Sequence, residues 1–130
     1  MRPRCRAAYP YMTGRAQQVL TAGDLGGPLG ERATLVQFST AFCQPCRATR
    51  RVLGDVVGMV SGVAHVEVDA EANLDLVRRL NVLRTPTVLV LDSGGRIVRR
   101  ASGAPRKADV IAALGVAIPE PGGDTDARAT

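Results

Sequence analysis

The chain has 130 residues, 45% of them hydrophobic and 22% charged, which suits one globular domain with a real core and is short for two. Its net charge of +5 gathers partly in the N-terminal stretch, where Arg2, Arg4, Arg6 and Arg15 precede the first acid, Asp24; two Tyr, two Phe and no Trp leave little to stack on bases, so no nucleic-acid partner is expected. Three cysteines form no disulfide framework, and no run of about 18 apolar residues is present to span a membrane.

Residues 1–14 carry Pro3, Pro10 and Gly14 without periodicity and read as a flexible basic arm, with Cys5 a spare thiol inside it. The arm lacks the apolar core of a signal peptide, so the chain is expected to be cytoplasmic; an anchor upstream would make it membrane-anchored instead. A short helix is expected over Gly14–Leu20, then a turn or cap at Thr21–Leu25 and a loop at Gly26–Gly30. Ala33–Phe38 is an apolar run of strand length. After the loop Ser39–Phe42 a helix opens at Cys43 and runs to about Met59. Its apolar stripe is Val52, Leu53, Val56, Val57 and Val60, with Arg47, Arg50 and Arg51 opposite.

Val63–Asp69 alternates as a strand, with Ala64, Val66 and Val68 on one side and His65, Glu67 and Asp69 on the other. Glu71–Leu80 reads as an amphipathic helix and Thr87–Leu91 as a buried strand. Ser93-Gly94-Gly95 turns the chain into a return strand over Arg96–Ser102. Pro105 is placed as the first residue of a last helix through Val110, Ile111 and Leu114. The domain is thus expected over 15–116, with a disordered Pro-, Gly- and Asp-rich tail over 117–130. A right-handed crossover makes the first two strands parallel and the hairpin makes the last two antiparallel, giving an α/β fold with a mixed sheet and helices on both faces.

The chemistry concentrates in Cys43-Gln44-Pro45-Cys46, a C-x-x-C unit between a strand and a helix. A helix start offers unpaired N–H groups and the positive end of the macrodipole, which favour thiolate over thiol at the first cysteine. The second cysteine follows one turn on, near enough to close a ring. Pro45 stiffens the loop early enough in the helix to cost no hydrogen bond. The same spacing is half of a zinc site, but no second C-x-x-C exists and His65 is the single histidine, so no metal is expected.

On these residues the chain resembles the thioredoxin family. TLVQFSTAFCQPC matches the family's strand, loop and helix around its redox motif, and VEVDAEANLDLVRRLNVLRTPTVLVLDSGGRIV and ASGAPRKADVIAAL extend the match over roughly residues 33–115. The resemblance implies a thioredoxin-like fold and a monomeric thiol–disulfide oxidoreductase that reduces protein disulfides. Its redox group would be the Cys43–Cys46 couple, with no separate cofactor, and an electron donor or reductase would recharge it. It implies a cis peptide bond at Thr85-Pro86 and an extended substrate lying beside those residues, supported by Phe42, Gln44 and Pro45. Departures are as informative. The family's buried Asp, six residues before the first cysteine, is Gln37, whose amide takes no proton at neutral pH. The neighbouring strand's usual Lys is His65, either a substitute base or a strand histidine with a satisfied ring. The usual Trp is Phe42, and Gly-Pro is Gln-Pro. These losses keep a second reading open, a thioredoxin-like docking module with weak turnover.

Overall fold

A computed structural model of the protein describes residues 18–119. The expected arm with Cys5, the start of the first expected helix and the tail beyond 119 lie outside the described residues. The elements are α1 (Ala22–Leu25), β1 (Ala33–Ser39), α2 (Gln44–Met59), β2 (Val63–Asp69), α3 (Leu74–Arg79), β3 (Thr87–Asp92), β4 (Ile97–Ser102) and α4 (Lys107–Ala117).

Four strands form one sheet in the order β2-β1-β3-β4. The β1–β2 pair is parallel, as a crossover through α2 requires, and β1–β3 and β3–β4 are antiparallel. All seven residues of β1 are buried, so the strand has no solvent face and its sequence need not alternate. Period two still decides which helices each side chain meets. Val36 and Phe38 pack with Leu20, Leu25, Val66, Val68, Leu76, Leu80, Leu89 and Leu91 beneath α1 and α3. Ala33 and Leu35 pack with Leu53, Val56, Val88, Val90, Val110 and Leu114 beneath α2 and α4. Each fully buried Leu, Val or Phe contributes about 1.5–3 kcal/mol relative to exposure, so these two layers hold the sheet between its helices.

Three expected boundaries move. Residues 18–20 are not helical: Val19 forms a bridge with Arg96, Leu20 N–H donates to the Gly95 carbonyl at 2.8 Å, and Ile97 N–H donates to the Gln18 carbonyl at 3.1 Å. An extended path drives Leu20 into the core at 1% exposure. It also needs Gly95, whose φ is +86° and where a Cβ would run into the Leu20 carbonyl oxygen. Thr21 then caps α1 with a reciprocal capping box to Asp24.

The second boundary is α3, which starts at Leu74 rather than Glu71. The Asp69 carboxylate accepts from Glu71 N–H and Asn73 Nδ2 donates to the Asp69 carbonyl, folding 69–73 into a turn. At the far end of α3, Arg100 donates to the carbonyls of Leu80 and Asn81. The third is α4: Arg106 is its N-cap with extended backbone, so Pro105 precedes the cap instead of opening the helix. That helix buries Ala117 at its last turn and Ile118 packs against the same layer, so residues 117 and 118 belong to the domain and not to the expected tail.

Candidate active site

The carboxyl ends of β1 and β2 and the start of β3 lie at one end of the sheet: Ser39 is level with Asp69, and Phe38 with Thr87. From that end the loop after Ser39 delivers Cys43 as the N-cap of α2. Cys43 has extended backbone and no side-chain capping bond, so its sulfur is left to other work. Pro45 lies in the first turn, where a helical N–H has no partner to lose. Cys43 and Cys46 are joined by a disulfide, S–S 2.08 Å with Cα atoms 5.2 Å apart. The two sulfurs are not equivalent. Cys43 is half-buried at the helix end, whereas Cys46 is fully buried. Phe42 is 96% exposed, and Gln44 and Pro45 are also exposed.

Across the same end of the sheet, the Thr85–Pro86 peptide bond is cis. Pro86 is buried and Thr85 half-buried. The segment is fixed from two sides: Thr87 Oγ1 donates to the Arg84 carbonyl at 2.6 Å, and Gly103 N–H donates to the Pro86 carbonyl at 2.8 Å.

Beneath the start of α2 the apolar layer gives way to polar side chains. Gln37 is fully buried, and its Nε2 donates to Ser39 Oγ at 3.0 Å and to the Cys46 carbonyl at 2.9 Å. With both amide hydrogens committed, its Oε1 is the acceptor for His65 Nε2, 3.0 Å away, which fixes the proton on that ring nitrogen. Burial pushes His65 below the ordinary imidazole pKa; nearby Arg50 adds to this and Glu67 partly opposes it. Glu67, the register partner of Gln37, is held bidentately by Arg50 at 2.8 and 2.6 Å. That guanidinium, helped by the Ser39 hydroxyl, keeps the Glu67 carboxyl below the usual range against the opposing effect of burial.

Gln37 therefore reaches Cys46 at its backbone carbonyl, while His65 reaches Gln37 and not Cys46. An amide suits that task and a carboxylate does not, because only the amide has hydrogens to donate. Sequence reasoning missed the roles of Ser39, Thr49 and the Arg50–Glu67 pair. Helical spacing puts Thr49 on the stripe of Cys46, Leu53 and Val56, and strand pairing alone puts Glu67 beside Gln37. Among the described residues no three of His, Cys, Asp and Glu gather to hold a metal ion, and no helix is long and apolar enough to cross a membrane.

The thioredoxin family profile matches residues 29–115. A thioredoxin of Mycolicibacterium smegmatis is 31% identical over 90 residues, covering 67% of this chain and 80% of that one. The bifunctional thioredoxin reductase/thioredoxin of Mycobacterium leprae is 29% identical over 89 residues, 68% of this chain; the chain spans only 19% of that protein. Among solved structures, a mutant thioredoxin from Halobacterium salinarum superposes with a TM-score of 0.63 at 18% identity, over 69% of this chain and 78% of the other, and so supports the fold. With its cysteine pair at the head of α2 and its profile match across the whole sheet, the chain belongs to the thioredoxin family of thiol–disulfide oxidoreductases.

Proposed function

We propose that the chain reduces disulfides in protein substrates, with Cys43 as nucleophile and Cys46 as resolving thiol. The observation that carries this reading is the asymmetry of the pair: a half-buried cysteine at a helix N-cap and a fully buried one a turn deeper. The positive helix end stabilises the Cys43 thiolate. That thiolate attacks one sulfur of the substrate disulfide, and the other sulfur leaves as a thiolate and takes up a proton. Cys46 then loses its proton and attacks Cys43 Sγ. The second substrate thiolate departs, and two electrons have passed from the dithiol to the substrate. Exposed Phe42 and the Thr85–Pro86 segment offer an apolar side and a backbone edge for an extended substrate.

The Cys43–Cys46 disulfide must be reduced again by an electron donor. The fusion of a related domain to a reductase in the M. leprae protein supports a thioredoxin reductase as that donor. The reading makes the chain a monomer working in the cytoplasm, where thiols are kept reduced. In it, Gln37 and His65 are positioning residues: Gln37 holds the Cys46 main chain and His65 holds Gln37.

The test is reduction of insulin with dithiothreitol as electron source. Wild type should turn over, Cys43→Ser should be inert, and Cys46→Ser should stall as a mixed disulfide on Cys43. Alkylation near neutral pH should label Cys43 much faster than Cys46; the reverse order sinks the assignment. A reduction potential between about −270 and −180 mV fits a reductant, whereas one near −120 mV marks a protein built to make disulfides.

A further inference from the structure

Among the described residues, Thr49 Oγ1 is the buried side-chain oxygen or nitrogen without a hydrogen-bond partner. Thr49 is 1% exposed and sits on α2 one turn beyond Cys46. A helical threonine ordinarily turns its hydroxyl onto the carbonyl three or four residues back, here Cys46 or Pro45. The Cys46 carbonyl already accepts from Gln37 Nε2. A buried hydroxyl left unpaired is unfavourable, and valine would fill the same space without that cost. Helical side chains lean toward the N-terminus and meet those one turn back, so the Thr49 side chain lies over the turn that carries Cys46.

We propose that Thr49 donates a hydrogen bond to the Cys46 sulfur once the Cys43–Cys46 bond opens. In the disulfide, the Cys46 sulfur is tethered to Cys43 and the Thr49 hydroxyl stays unpaired. In the dithiol and in the mixed disulfide, Sγ is released and the hydroxyl is the donor at hand. Several polar groups on α2 and the elements packed against it are committed. Gln37 spends both amide hydrogens on Ser39 and the Cys46 carbonyl, and His65 Nε2 faces Gln37 Oε1. Arg50 is locked to Glu67, and Lys107 of α4 pairs with Asp55 further along α2. A hydrogen bond to a buried thiolate favours the charged form, which is the form that attacks Cys43. It also favours the dithiol over the disulfide, so the same hydroxyl sets both the resolving rate and the redox balance.

The proposal rests on Cys46 as the resolving thiol for its kinetic half; its equilibrium half needs only the redox couple. Thr49→Val keeps the shape and removes the hydroxyl, and Thr49→Ser keeps the hydroxyl. Each variant is equilibrated with glutathione, and the lifetime of a mixed disulfide between Cys43 and 5-thio-2-nitrobenzoate is followed across pH. Thr49→Val should shift the equilibrium toward the disulfide about tenfold, or about 30 mV for a two-electron couple. Its mixed disulfide should live longer at pH 7, with the pH profile displaced upward, and Thr49→Ser should restore both. Wild-type values in Thr49→Val overturn the proposal, as does a change that Thr49→Ser reproduces, which would make the site one of packing. If Thr49→Val does not fold, Thr49→Ala against Thr49→Ser carries the same comparison. Failure of the functional reading looks different: wild type would not reduce insulin, whatever Thr49 does to the glutathione equilibrium.

Discussion

The two faces of β1 are built for different tasks. Toward α1 and α3 the strand presents Thr34, Val36 and Phe38 to a continuous apolar layer. The buried hydroxyls on that side, Thr34 and Thr87, bond only to backbone, at Gly30 and Arg84. Toward α2 and α4 the strand begins apolar with Ala33 and Leu35 and ends polar with Gln37 and Ser39, just where the sulfurs sit. Side chains two residues apart on one face thus change from packing material to hydrogen-bonding machinery. The lesson is that hydrogen bonding between buried side chains here gathers at one end of one face. A domain of this size tolerates such a layer because the opposite face is left to supply stability.

Substitutions on the two faces should separate these roles. Phe38→Ala removes the largest fully buried side chain and should cost about 3–5 kcal/mol in denaturant unfolding, with the glutathione equilibrium of the folded protein unchanged. A potential that moved with Phe38 would break the division between faces. Gln37→Leu removes the partner of the Cys46 carbonyl and leaves His65 Nε2–H facing hydrocarbon. A loss of about 1–3 kcal/mol is expected, accompanied this time by a changed redox equilibrium, read in the same two assays.

Between pH 7 and 5, acid should act through His65 on the polar face. The folded-state pKa of His65 lies below its unfolded value near 6.5, so the unfolded chain binds more protons in the window just below that value. Stability from this site is complete above pH 6.5 and is lost as pH falls through the folded pKa. Glu67, also held below its ordinary value, adds a second loss in the same direction at lower pH. Thermal melts from pH 7 to 5 should therefore decline in wild type and flatten in His65→Gln; parallel curves would show that the histidine does not carry the slope. The smallest effect belongs to Arg50→Ala. Its ion pair with Glu67 is bidentate but half exposed, and such pairs contribute about 0–1 kcal/mol, a value a double-mutant cycle with Glu67→Gln should return.

How much of this was legible in the sequence follows from how far each signal reaches along the chain. The strand expected over 33–38, which runs on to Ser39, the stripe of α2 and the turn at 93–95 are local patterns, legible from apolar runs, periodicity and turn residues. The sulfur pair and the Thr85–Pro86 corner were visible through motif and resemblance. Residues 18–20 were misread because their conformation is dictated by Gly95, some 75 residues away in the sequence. The polar layer was half legible. Gln37 and His65 stood out as departures from the family's pattern, but the target of Gln37 was not visible: the Cys46 backbone carbonyl has no sequence signature. Thr49 gave no signal of its own, since threonine on a buried helical stripe is ordinary and its isolation depends on what Gln37 has already taken.

The bridge between residues 18–20 and the hairpin also has a consequence for motion. Two backbone hydrogen bonds carry it, from Leu20 to Gly95 and from Ile97 to Gln18. So slight a seam would open freely on a surface, yet Leu20 is rooted among Leu25, Phe38 and Leu89. Thr21, the cap of α1, follows Leu20 directly. Opening the bridge therefore lifts Leu20, uncaps α1 and frees the tip of the hairpin in one event, while the β1 ladders remain closed. In native-state deuterium exchange, the amides of Leu20, Gly26 and Ile97 should report a common opening free energy below that of Val36 and Phe38, marking a small cooperative unit hinged on a single glycine.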